Sequence, residues 1–398
     1  MRVLALLLVA GCDKLWDLDV VHLPADAPGL GDTSLPLDAG PCIGGTAYGR
    51  NGPGGEGLLS VCLTSATPVP DTLLLQTPIN TGESLCSLHV PVDTDGTMAC
   101  VMLAKKIVLE GAAAGTGGRL PLVLLATETI YINDKLDLSA HNNGTVGAGS
   151  DWIDPVTMVS RCGLSPGASN IVGGSGGAGG SNGQAGAAGG SGKSAGGQPT
   201  LPFPLPTIHG GCPGSNGGDA DVSGGIGASG GGAVYMIAGI DIVLSTLAVI
   251  NASGAGGTGG QAASISGGTN GIGGGGGGGG GAGGLIGLDA PMITIVAAAR
   301  LCANGGGGGS GGALTEAGLQ GAEPVAGRPG DPAPGGAQTG DASYYGGKGG
   351  NGYALQNPTV GGSRGSGGGG GGGAGVIAIY AKNKTVTLGN ISPLPLMP

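Results

Sequence analysis

The chain has 398 residues, of which 98 are Gly and 26 Pro, only 10% are charged and 3% aromatic, and its formal net charge is −10. It lacks the clustered cations of an ordinary nucleic-acid binder, and its single Phe cannot fill one thick core for a chain of this length. Gly keeps no strict third-position register overall, which excludes collagen, and plentiful Val, Ile and Leu separate the chain from charged disorder.

The chain begins Met1-Arg2, followed by an unbroken apolar run from Val3 to Ala10 and then Gly11-Cys12. A run of this length is too short to cross a bilayer but fits the core of a signal peptide. Val9-Ala10-Gly11-Cys12 resembles a bacterial lipobox, which makes Cys12 the expected lipidation site and anchors the protein to a membrane leaflet. The plainer alternative is a secretory signal with an incidental Cys. We therefore expect a signal peptide over 1–11 and a lipid-anchored linker over 12–56.

Export favours disulfides, and none of the eight Cys residues sits in a Cys-x-x-Cys pair. Cys86 and Cys100 flank a strand–turn–strand pattern and form the best candidate pair. Cys162 with Cys212 would close the base of a Gly-rich excursion, Cys42 with Cys62 is a weaker pairing, and Cys302 is left over.

Five apolar segments align: Val101–Leu109, Leu122–Ala140, Val234–Ala252, Leu285–Ala303 and Val376–Leu388. Each opens with a strand ending in Ala (Ala104, Ala126, Ala238, Ala290, Ala381). An alternating apolar pair follows: Ile107/Leu109, Ile130/Ile132, Ile242/Leu244, Ile293/Ile295 and Val386/Leu388. Period-two alternation marks strands with one buried face. Three copies continue into a third strand, with Leu136, Leu138 and Ala140 aligned to Ala248, Ile250 and Ala252 and to Ala299, Leu301 and Ala303. Ala104 and Ala126 lie 22 residues apart, the length of one three-strand coil. These columns predict an all-β fold, a parallel β-solenoid over 57–391, with inserts at about 144–232, 254–284 and 305–374 and a tail over 392–398. A transmembrane helix over Ala233–Ile250 is disfavoured by Asp241 near its centre.

Two arrangements of the Gly-rich inserts remain open. Gly174 to Ser194 keeps Gly at every third position, as a packed polyglycine-II bundle requires. Solvated, linker-like loops are the plainer reading and the favoured one.

Catalysis by paired carboxylates needs acids on neighbouring strands of one face. The alignment sets Asp137 against Val249 and Arg300, Asp241 against Thr129 and Met292, and Asp289 against Leu125, Ile237 and Tyr380, so no acidic column is expected. His22, His89, His141 and His209 lack metal-ligand spacing and read as surface loop residues. Gly-x-Ser-x-Gly strings arise by chance in so Gly-rich a chain. Asp93-Thr94-Asp95-Gly96 reads as the turn between Cys86 and Cys100 rather than a calcium loop. Neither metal nor cofactor is expected.

Arg119–Thr127, Gly211-Cys212-Pro213-Gly214, Ile286–Pro291 and Cys302-Ala303-Asn304 with its following Gly run resemble a family of uncharacterised Gly-rich surface lipoproteins of gliding, predatory Gram-negative bacteria. The resemblance covers about residues 57–391 and implies an exported envelope protein, supplying no catalytic residues. A more distant likeness, carried only by Gly174–Ser194, is to adhesins that display loops on polyglycine-II layers. The expectation is a non-enzymatic envelope lipoprotein serving adhesion or display, at the outer membrane or cell surface. Surface polysaccharide and other envelope proteins are its candidate partners, and nucleic acid is not. The alternatives are a carbohydrate-active lyase or hydrolase and an ice- or surface-binding protein.

Overall fold

A computed structural model describes residues 42–398 apart from 51, 53–56, 77, 83–85, 93–96, 112, 117, 153–159, 164, 204–206, 264–272, 338–346 and 364. The signal peptide, Cys12 and the turn at 93–96 lie outside the described residues.

The chain opens with β1 (Gly45–Gly49) and β2 (Ser60–Thr64), which form a separate antiparallel hairpin. Next come β3 (Thr72–Leu75), β4 (Ile79–Asn80), β5 (Leu88–Pro91), β6 (Met98–Leu109), β7 (Ala113–Thr116), β8 (Leu122–Ile132) and β9 (Lys135–Asp137). After the first long Gly-rich stretch follow β10 (Ala233–Ala238), β11 (Asp241–Leu244) and β12 (Val249–Asn251). After the second come β13 (Leu285–Asp289), β14 (Met292–Ile295) and β15 (Arg300–Cys302), and after the third β16 (Val376–Tyr380), β17 (Asn383–Val386) and β18 (Ile391–Ser392). Among the described residues the regular helix consists of two short 3-10 turns, Ser150–Trp152 and Leu388–Asn390. No described helix is long and apolar enough to cross a membrane, and Ala233–Ile250 forms strands.

The expected β-solenoid of three-strand coils is not what forms. The strands assemble into a ten-stranded sheet, curled as a half-barrel, and a six-stranded sheet. In β6 and β8 the first two strands of the supposed coil fuse into single strands of 12 and 11 residues, each spanning both halves of the larger sheet. β5 joins that sheet antiparallel to β6, so the sheet is mixed. The six-stranded sheet runs in the order β18-β15-β12-β9-β7-β4 and is parallel throughout.

Register explains both what the alignment found and where it slipped. Ile107, Ile130, Ile242 and Ile293 are neighbours across adjacent parallel strands and share one buried cluster. At the next strand the aligned Val386 pairs with Ile295, and Lys384 occupies the Ile column. The six-stranded sheet holds the opposite slip: Leu136 pairs with Ile250, which pairs in turn with Leu301, so its column is not that of Ala248 and Ala299. Only Asn133 and Asp134 separate β8 from β9, whereas four residues separate β11 from β12 and β14 from β15. The shorter corner advances the strand by two residues, which preserves its inward face.

The apolar runs are continuous where a strand is covered on both sides. Leu122 and Leu124 of β8 face the cluster between the sheets, while Val123 and Leu125 face a second cluster beneath the N-terminal hairpin, with Tyr235, Leu59, Val61 and Ile208. Burial on both faces removes the need for alternation. In β11 the outer face is only half covered, and alternation returns: Ile242 and Leu244 are buried, Asp241 and Val243 half-buried. Each fully buried Ile or Leu contributes roughly 1.5–3 kcal/mol.

The Gly-rich tracts are not solvated loops. Successive amides of 275–283 donate to three different neighbours in rotation. Gly275, Gly278 and Gly281 donate to the carbonyls of Gln261, Thr258 and Ala255. Gly276, Gly279 and Ala282 donate to those of Gly218, Ser215 and Cys212, and Gly277, Gly280 and Gly283 to those of Gly367, Gly370 and Gly373. The tract's carbonyls accept in the same rotation from three further segments: from the amides of Gly174, Gly177 and Gly180; of Gly225, Ala228 and Gly231; and of Gly306, Gly309 and Gly312. Three residues per turn with bonds leaving in six directions is hexagonal polyglycine-II packing. At Gly279 a Cβ would lie 1.9 Å from the carbonyl oxygen of Ala178, so the lattice centre admits no side chain. The longest pure-Gly runs, 273–281 and 367–373, occupy such fully surrounded positions. The lattice continues the sheets directly, since Gly232, Gly284 and Gly375 lead into β10, β13 and β16.

Candidate functional site

Three disulfides join Cys42–Cys62, Cys86–Cys100 and Cys162–Cys212, the pairs expected from the sequence, and Cys302 is free and buried. The third clamps the base of the first Gly-rich excursion, with Cys212 inside the lattice.

Polar chemistry concentrates at the corner where the six-stranded sheet passes into the lattice. Asp137, at the end of β9, stands beside Asn251 in register, and Asn251 beside Cys302 and then Ser392. The expected alignment of Asp137 with Val249 and Arg300 is therefore wrong: Lys135 holds that column. Asp241 and Asp289 lie elsewhere, in the larger sheet, Asp241 between Thr129 and Met292 and Asp289 between Ile237 and Tyr380.

Asp137 Oδ1 accepts from the Ser139 amide (3.1 Å), the Ser139 hydroxyl and Asn251 Nδ2 (3.2 Å), and Oδ2 pairs with Lys135 Nζ. Burial pushes this carboxyl up, but the bonds and charge of Lys135 and the bonds from Ser139 outweigh it and hold it below the usual range. Ser139 and His141 project to the same side of an extended segment, two residues apart. Ser139 Oγ lies 3.2 Å from His141 Nε2, and His141 Nδ1 lies 2.9 Å from Glu323 Oε2. His141, expected as a surface loop residue, is thus held between Ser139 and Glu323, with Asp137 Oδ2 3.8 Å from its Nε2.

Glu323 arrives on a strap, 323–331, that crosses the outer face of the six-stranded sheet. Its Oε1 accepts from the Asn142 amide, the Ala326 carbonyl accepts from Cys302 Sγ (3.3 Å), and the Pro329 carbonyl accepts from Asn304 Nδ2 (2.7 Å). Ser392 donates to Asn304 Oδ1 at 2.7 Å, so the polar ladder continues to the last strand. Burial pushes the Cys302 thiol up to about 12, so it stays a neutral packing group at physiological pH. Asn251 Oδ1 is buried and has no hydrogen-bond partner among the described residues.

A second polar cluster lies under the N-terminal hairpin. Tyr235 donates to Asp289 Oδ2 (3.1 Å) and accepts from the Leu58 amide (2.7 Å), tying the hairpin to the sheet. Burial pushes Asp289 up to about 7, against the pull of the Tyr235 bond. Elsewhere, Asp151 is pushed up to about 6 by burial, partly offset by its bond from the Gly230 amide. Among the described residues no three His, Cys, Asp or Glu side chains converge in a way that could hold a metal ion. Asn251, one of four glycosylation-type sequons, is buried inside the ladder.

The lattice rim carries large apolar side chains in the open: Ile171 is 75% exposed, Ile226 66% and Val360 61%. No family model, no curated protein and no solved structure matches this chain.

Proposed function

We propose that this chain is an exported envelope protein, lipid-anchored at Cys12, whose folded part displays its lattice rim for adhesion to surface polysaccharide or to another envelope protein. The observation that carries this reading is the lattice itself. Tracts that sequence alone favours as loops use their own amides and carbonyls to hold one another, so the groups at their margins sit on a rigid support. A backbone already held loses little conformational entropy on binding, which favours a presenting surface. Exposed Ile171, Ile226 and Val360 provide apolar contacts, and the low charge of the chain leaves little electrostatic steering.

The reading is tested with cells bearing the intact protein or a form with all three rim residues changed to Ser. The triple variant should melt as the parent does and lose most of its surface attachment. Attachment at the parental level would refute the display role. Metabolic labelling with a fatty acid should mark the parent and not Cys12→Ala.

A further inference from the structure

We propose that Ser139 is a nucleophile, with His141 as its base and Glu323 as the residue that positions His141, and that it accepts the acyl group of a small uncharged carboxylic ester. This stands on the corner site and is independent of the display role.

The three side chains form a connected relay. A carboxylate 2.9 Å from Nδ1 places the proton of a neutral imidazole on that nitrogen and turns the Nε2 lone pair toward Ser139 Oγ, 3.2 Å away. Glu323 is itself fixed, because Asn142, which donates to its other oxygen, is held by the Gly321 carbonyl (3.2 Å) and the Gly256 amide (2.8 Å). The Ser139 hydroxyl has one proton and donates it to Asp137 Oδ1, and Oδ2 of the same carboxylate lies 3.8 Å from His141 Nε2. A turn of the hydroxyl about its C–O bond redirects that proton to Nε2; a carboxylate paired with Lys135 is a weaker base than imidazole, so Asp137 holds the resting rotamer while His141 takes the proton in the reaction. Asn251, whose Nδ2 donates to Asp137, keeps its buried Oδ1 without a hydrogen-bond partner among the described residues, an acceptor next to the reacting group.

In the reaction the Oγ–acyl carbon bond forms and the ester C–O bond breaks. The hydroxyl proton passes to Nε2 and on to the departing alkoxide. Water attacks the acyl-serine by the same route, releasing the carboxylic acid and restoring Ser139. Two carboxylates at the site disfavour anionic substrates. Ser139 is only 6% exposed, so a short acyl group such as acetyl is the one with the least to displace.

The full chain is incubated with p-nitrophenyl acetate and, separately, with a fluorophosphonate probe followed by peptide mass mapping. Turnover is expected, with one label per chain, on Ser139. Ser139→Ala should abolish both, and His141→Gln should slow labelling by roughly 100-fold or more. Glu323→Gln should lower kcat more than it changes KM and shift the pH profile, with partial recovery in Glu323→Asp; a merely structural strap would not move that profile. His89→Gln, remote from the corner, should match the parent. Melting curves identify any variant that fails to fold. No label on the parent, a label on another serine, or parental labelling in a folded His141→Gln variant would overturn the proposal.

Discussion

Replacing Gly279 by Ala should be among the most damaging single-methyl additions to this protein. The new Cβ would sit 1.9 Å from the Ala178 carbonyl oxygen, against an ordinary contact of 3.4 Å or more, so a tract must move by about 1.5 Å. Three bonds converge there: the Gly279 amide to the Ser215 carbonyl (2.9 Å), the Ala228 amide to the Gly279 carbonyl (3.0 Å) and the Ser215 amide to the Ala178 carbonyl (2.8 Å). A buried peptide group left unpaired costs about 1–3 kcal/mol, while Gly→Ala recovers roughly 0.4–1 kcal/mol by restricting the unfolded chain. With two of the three bonds lost, the net loss is about 1–5 kcal/mol. The control is Gly389→Ala, where an added Cβ meets nothing within 4 Å. Urea denaturation of the two variants beside the parent gives the comparison. A loss at Gly279 within about 0.5 kcal/mol of the control would refute close packing of the tracts.

Two further predictions concern titration and the end of the stack. Asp289 is raised by burial to about 7 and Asp151 to about 6, so the folded state keeps protons that the unfolded chain releases near pH 4. Their contribution is complete below that pH and disappears as pH rises through 6–7, costing on the order of 2–4 kcal/mol for Asp289. Urea midpoints should therefore be higher at pH 5 than at pH 7.5, and Asp289→Asn should flatten the slope; a slope unchanged in that variant would contradict this assignment. Lys384, in register with Ile293, ends the Ile column with a charge whose Nζ bonds the Pro398 carbonyl (3.1 Å). A charged side chain on an edge strand discourages further strand addition, so Lys384→Ile should promote concentration-dependent association in sedimentation velocity. A variant that remains as dispersed as the parent would show that the charge has no such role.

Much of the strand pairing was legible because period-two burial writes itself into the Ile and Ala columns. The joining of those strands was not. Fusion of two strands into β6 and into β8, the antiparallel β5 and the separate hairpin depend on corners that periodicity does not encode, and the β-solenoid expectation failed there. The two-residue slips at Leu136 and Lys384 leave no trace in the sequence because they keep the inward face, so the apolar pattern looks the same in either register. The Gly tracts carry a signal of their own. Where a segment is surrounded on all sides, no position tolerates a Cβ and the run becomes pure Gly, as at 273–281; run purity therefore reports depth in the lattice. The Ser139–His141–Glu323 relay had no usable signal, since 182 residues separate Glu323 from His141 and Ser-x-His alone is common.

Hydrogen exchange at the amides of 275–283 tests the lattice most directly. If each donates to a carbonyl in a surrounding tract, as their bonds of 2.8–3.0 Å indicate, these amides should exchange as slowly as those of Ile242 and Ile293 in the sheet core. Exchange within seconds, at the rate of a free Gly-rich peptide, would contradict the lattice.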